Sequence, residues 1–138
     1  MQQEQISTYE IQEHEISELV DRFYAKVRVD AVIGPVFNEA IEDWPAHLAL
    51  LKTFWSSVLL ATRTYKGDPM MTHLQLPLEE AHFQRWLVLF AETARETMQP
   101  DHAELTIAKS QRIAQNFRNA IAWQKANGHV MKVAARPN

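Results

Sequence analysis

The 138-residue chain is predicted to be all-α. Apolar residues recur at spacings of three and four along most of its length, the period of a buried helical face. No segment alternates apolar and polar residues for long enough to make a half-buried strand. The three glycines, Gly34, Gly67 and Gly128, fall with Pro35, Pro69, Pro77 and Pro100 where the periodic stretches stop. Hydrophobic residues make up 46% and charged residues 22%, a balance that suits a packed core. The length fits one domain. Its core is expected over about residues 10–128, with 129–138 as a frayed tail.

The first strong stripe is Ile16, Leu19, Val20, Phe23 and Val27, with Tyr24 beside it. Ser7 and Glu10 have the S-x-x-E form of a capping box for an earlier turn. Gly34-Pro35 breaks the chain, and Val36 and Phe37 resume apolar contact. A second helix begins near "EDWPAH", where Asp43 sits at the start and Pro45 suits a first helical position. Its apolar set is Leu48, Leu50, Leu51, Phe54, Trp55, Val58 and Leu59, and His47 shares a face with Leu51, Phe54 and Val58. The stretch "TRTYKGDP", with Gly67 and Pro69, is read as its end.

The loop "MMTHLQLP" is mostly apolar around a single histidine, His73, whereas exposed loops are usually polar. Pro77 then precedes a third helix striped by Phe83, Trp86, Leu87, Phe90, Ala94 and Thr97. A fourth starts at "PDHAE", where Asp101 and Glu104 have the form of a capping-box variant. Thr106, Ser110, Ile113, Ala114, Phe117, Ala120 and Ile121 carry it toward a cap at Gly128. About four substantial helices with short turns make a bundle. The polar surroundings of His14, His82, His102 and His129 mark them as solvated.

Several function classes drop out. The chain has no cysteine, which excludes disulfides, thiolate zinc sites, cysteine-ligated iron–sulfur clusters and C-x-x-C-H haem attachment. The formal net charge is −3 with no basic stripe, so no nucleic-acid partner is expected. The three scattered glycines build no phosphate-cradling loop. The N-terminus lacks the form of a signal peptide and no apolar run reaches the ~18 residues of a membrane span. A soluble, cytoplasmic protein with no membrane partner is expected.

Taken singly, the candidate residues have structural readings. His73 could be a satisfied loop histidine and His47 a core histidine bonded to a carbonyl. The Tyr24 hydroxyl could reach water. Trp86, Phe37, Phe54 and Trp55 could be core. Their combination changes the weighing. One histidine lies on an apolar loop, a second on the apolar face of the preceding helix, and a tyrosine and a tryptophan lie on the apolar sides of two other helices. A flat, apolar, iron-containing cofactor needs one axial nitrogen ligand, an aromatic cage and a few polar donors opposite. Neither a repeated Glu-x-x-His pair nor H-E-x-x-H occurs, which disfavours di-iron and zincin sites.

The segments "FYAKVRVD", "IGPVFNEAI", "WPAH", "TFWSSVLL", "THLQLP" and "FQRWLVLF" occur in that order over roughly residues 16 to 125. In this the chain resembles the group III truncated haemoglobins, a bacterial globin family. The resemblance implies a two-over-two helical sandwich around haem b (iron protoporphyrin IX). It makes His73 the proximal iron ligand, Tyr24, His47 and Trp86 the distal residues, and Phe37 the ring packed on the haem. Leu51, Phe54 and Trp55 would face the haem from the distal helix. Met71, Leu74 and Leu76 would shield the proximal side, and Phe83 would join the cofactor-binding set. The implied ligands are O₂, nitric oxide or peroxide, handled by redox chemistry with an unidentified reductase in the manner of a nitric oxide dioxygenase or a peroxidase. A non-catalytic ligand scavenger or sensor, and a haem-free helical interaction protein, are the alternatives.

Overall fold

A computed structural model describes residues 10–62 and 77–127. Ser7, Gly67, Pro69, Met71, His73, Leu74, Leu76, Gly128 and His129 lie outside the described residues. Five helices follow one another: α1 Glu13–Val29, α2 Gly34–Ala40, α3 Trp44–Leu60, α4 Glu80–Thr97 and α5 Pro100–Ala126. No strand occurs among the described residues, in agreement with the period of the sequence.

Each helix start has a local cause. In α1 the Gln12 backbone N–H donates to Glu15 Oε1 at 3.0 Å, which satisfies one of the donors a helix start leaves open. Asp43 caps α3 by accepting from the Ala46 N–H at 3.1 Å, with Pro45 in the first turn. In α4 the Glu79 N–H donates to His82 Nδ1 at 2.8 Å. The α5 start differs from the sequence reading. Pro100 opens the helix and Gln99 is its flanking residue, so Asp101 is already inside the first turn and Glu104 instead receives Arg95 Nε at 3.2 Å.

The end of α3 also differs. The helix stops at Leu60, before the glycine and proline of "TRTYKGDP", and Ala61 adopts φ 57°, the left-handed conformation usually left to glycine. The short α2 exists because Asp30 holds the corner before it. Asp30 Oδ2 accepts from the N–H groups of Val32 and Ile33, and Oδ1 accepts from Arg85 Nε at 2.8 Å. Burial raises the Asp30 carboxyl, but these bonds outweigh it and hold the group below its ordinary value. Gly34 is needed where α2 crosses α1, since a Cβ there would lie 3.0 Å from the Val27 carbonyl oxygen and 3.1 Å from that of Arg28.

Ion pairs fix the directions of the long helices. Lys26 of α1 meets Glu92 and Glu96 of α4, while Asp30 meets Arg85 one turn and more earlier in α4. Those two helices therefore run antiparallel. Arg95–Glu104 and Glu80–Arg118 set α4 and α5 antiparallel in the same way, and Asp21–Lys52 with Glu13–Ser56 does so for α1 and α3. Two antiparallel pairs result, α1 with α3 and α4 with α5, joined where α1 packs on α4. Surface pairs of this kind contribute little energy each. The seam itself is apolar, with Ile16, Leu19, Val20, Phe23, Val27, Phe90 and Ala94 all buried.

Polar residues within the α5 stripe are satisfied along the helix. Thr106 donates to the His102 carbonyl at 2.8 Å and Ser110 to that of Ile107 at 2.7 Å. His102 itself corrects an expectation. It is only 2% exposed, not solvated, because its ring packs inward and Nδ1 lies 3.0 Å from the carboxylate of Glu15. Burial raises the Glu15 carboxyl, but bonds from His102 and from the backbone of Gln12 and Gln99 lower it further than burial raises it. One carboxylate thus ties the starts of α1 and α5 together. His14 is exposed as expected, and His82 is half-buried in its capping role. Leu50 leaves the apolar set of α3, with 46% of its surface exposed.

Candidate functional site

The inward faces of α1, α3 and α4 meet in an aromatic cluster. The α1 period that buries Phe23 also buries Tyr24, which is 4% exposed. Opposite it, the first turn of α3 supplies Trp44 and His47. The Tyr24 ring centroid lies 5.9 Å from that of Trp44 and 6.5 Å from that of His47. From α4, Trp86 meets the Phe23 ring edge-on at 5.2 Å and stacks on Phe90 at 5.1 Å with 10° between planes. Such packing leaves the indole little freedom.

The Trp86 indole is placed to act on the Tyr24 hydroxyl as a hydrogen-bond donor. Burial pushes the Tyr24 phenol well above its ordinary value, and the Trp86 bond opposes this only in part. Tyr24 is therefore a neutral donor at any physiological pH. Its oxygen accepts from Trp86 while its own O–H keeps a proton to donate.

An apolar cleft opens beside Trp86. It holds about 400 Å³ of empty space including its open mouth, and is lined by Phe37, Leu78, His82, Phe83, Trp86, Ile113, Ala114 and Phe117. A second hollow is lined by Phe54, Val58, Lys109, Arg112, Ile113, Asn116 and Phe117. Ile113 and Phe117 form a wall common to both. Arg118 lies over the Phe83 ring at 5.3 Å and is paired with Glu80, so its charge closes the cleft from the α5 side.

Of the residues singled out in the sequence, Phe37, Phe83 and Trp86 line the first cleft and Phe54 lines the second. Tyr24 and His47 belong to the aromatic cluster next to Trp86. Leu51 is half-buried against the main core. Trp55 is buried and stacks on Phe90 at 5.0 Å, which places it in the core behind the cleft. Met71, His73, Leu74 and Leu76 lie outside the described residues. Sequence reasoning passed over Trp44, Leu78, Ile113 and Phe117 as parts of the site. The i, i+4 pair Ile113 and Phe117 was visible as a stripe, but a stripe alone does not separate core from cleft wall. Among the described residues no group of three or more metal-ligating side chains is assembled. A centre built on one histidine and a macrocycle needs no such group.

Two antiparallel helix pairs, an apolar cleft walled by α2, α4 and α5, and a buried tyrosine beside the half-buried Trp86 that lines it define a globin-type protein. The model of the bacterial-like globin family matches residues 10–123, and the chain belongs to that family. It is 36% identical over 124 residues to the group 3 truncated haemoglobin of Campylobacter jejuni, covering 86% of this chain and 96% of that protein. It is also similar to the crystal structure of the group III truncated haemoglobin from Campylobacter jejuni. The TM-score there is 0.77 at 35% identity, over 81% of this chain and 92% of the other. The resemblance read from the motifs holds, as does the all-α sandwich it implied. Globins are haem proteins that bind small gaseous ligands such as O₂, and that coarse function follows from the family. No helix among the described residues is long and apolar enough to cross a membrane.

Proposed function

We propose that the chain binds haem b with His73 as its axial ligand and performs redox chemistry on O₂, nitric oxide or peroxide, with electrons from a reductase. The described residues fit such a group. The cleft wall is aromatic and aliphatic, as a porphyrin face requires, and the donors lie together at one edge. Haem, when bound, supplies an iron that takes a small ligand and exchanges electrons with it.

The observation that carries this reading is the buried Tyr24, 6.5 Å from His47 between ring centroids, with Trp86 acting as a donor toward its hydroxyl. Trp86 orients the Tyr24 oxygen, and Tyr24 then points its proton at a ligand that develops negative charge. A donor already oriented and shielded from water costs little to align when that charge appears. His47, in the first turn of α3, stands edge-on to Tyr24, where an imidazole can admit or block a ligand. Phe37 and Phe83 exclude water from the cleft.

Adding haem to the haem-free chain tests the reading. A strong Soret band saturating at one equivalent is expected, with a higher melting temperature, because a ligand that binds only the folded state stabilises it by mass action. No Soret band and an unchanged melting temperature would overturn it.

A further inference from the structure

The His47 imidazole does not meet Tyr24 alone. Its ring lies edge-on to Trp44 as well, 5.8 Å between centroids at 88°, while the Tyr24 contact is at 6.5 Å and also 88°. Trp44 and Tyr24 are themselves 5.9 Å apart. The imidazole therefore sits in a corner made by two larger rings. Trp44 is 7% exposed and is fixed from two directions. Its backbone belongs to the first turn of α3, held by the Asp43 cap and by the His47 N–H bond to the Asp43 carbonyl at 3.0 Å. Its ring is covered by the Arg28 guanidinium, 4.9 Å from the centroid. The backbone of Arg28 is fixed in turn, since its carbonyl accepts from Asn38 Nδ2 at 2.9 Å.

The contacts run from exposed Arg28 to buried Trp44, and from Trp44 to both Tyr24 and the half-buried His47. A cation over an indole face is attracted by the ring quadrupole and gives that face a lid. Movement of the imidazole away from Tyr24 changes its edge-on contact with the Trp44 ring, which is held on both sides. We propose that Trp44, clamped by Arg28, is the positioning residue that holds His47 against Tyr24 and so sets the barrier to ligand entry. The inference rests on the reading of His47 as a gate over a haem-bound ligand, and assigns the gate's hinge wall to two residues outside the donor set.

The test uses the haem-loaded protein, flash photolysis, and two probes, carbon monoxide and the bulkier n-butyl isocyanide. Trp44→Ala is expected to speed isocyanide association by about tenfold and carbon monoxide association by less, with release changed by under about twofold. Trp44→Phe should restore part of the barrier, and Arg28→Ala should lower it in the same direction. In a His47→Leu background the Trp44 effect should vanish, because contacting residues that act through one another are not additive. An equal rise from Trp44→Ala in that background, or no rise at all, would overturn the proposal.

A second readout covers a Trp44→Ala chain that does not fold and is independent of haem. The ¹³C-labelled ring resonance of His47, followed in the purified protein, should shift on Trp44→Phe and on Arg28→Ala as the neighbouring ring current changes. A resonance unmoved by both substitutions would remove the positioning role. Absence of a Soret band would remove the proposed function instead.

Discussion

Replacing His73 with alanine is expected to release haem from the protein. The axial nitrogen would be the one coordinate bond between chain and iron in a haem b site of this kind. Losing merely the outer partner of a metal-ligating histidine costs roughly 10- to 100-fold in metal affinity, so loss of the ligand itself should cost more. His14→Ala is the control, since His14 is an exposed residue of α1. Haem retention through gel filtration, with transfer to apomyoglobin as the rate assay, reads both variants. A His73→Ala protein that keeps haem as firmly as the His14→Ala control would show that the iron is held elsewhere.

The second large effect is expected on ligand release. Tyr24→Phe and Trp86→Phe should each speed O₂ dissociation by about ten- to a hundredfold, from the roughly 1.5–3 kcal/mol of a hydrogen bond to a charged acceptor. Because Trp86 donates to the Tyr24 hydroxyl, the two side chains act as a unit. The double substitution should therefore cost less than the product of the single ones. His47→Leu should change association more than dissociation. Stopped-flow displacement of O₂ in the three single variants and the double variant decides this. The roles are misassigned if His47→Leu gives the largest rise in dissociation and Trp86→Phe gives none.

Much of the fold was legible because its helices are long and one-sided. Ile16, Leu19, Val20, Phe23 and Val27 keep the helical period strictly, and all five are buried. Asp43 with Pro45 marked the start of α3 because both residues act within one turn. What stayed hidden depended on distant partners. His102 looked solvated between Asp101 and Glu104, yet it is four residues before Thr106 and eight before Ser110, on the face already read as apolar. Its carboxylate partner, Glu15, is 87 positions away in the chain. The end of α3 was misplaced because Ala61 takes a left-handed conformation that local preference assigns to glycine. The helix α2, at 7 residues, is too short to show a period.

The candidate site was legible in a different way. Tyr24, Phe37, His47, Phe83 and Trp86 were found by motif order, whereas their convergence needed the antiparallel pairing of α1 with α3 and with α4. Trp44 escaped notice for that reason. It sits in the quoted motif "WPAH", but only the tertiary fold brings Arg28 over its ring and His47 to its edge.

The infrared spectrum of the carbon monoxide complex decides whether Tyr24 and Trp86 face a haem-bound ligand, since it requires bound ferrous haem and reports the donors around that ligand. Donors aimed at the bound oxygen atom weaken the C–O bond and lower its stretching frequency. The purified protein should show a C–O band that rises in frequency in Tyr24→Phe and again in Trp86→Phe. No carbon monoxide complex, or a band that neither substitution moves, would contradict a haem pocket whose ligand is held by Tyr24 and Trp86.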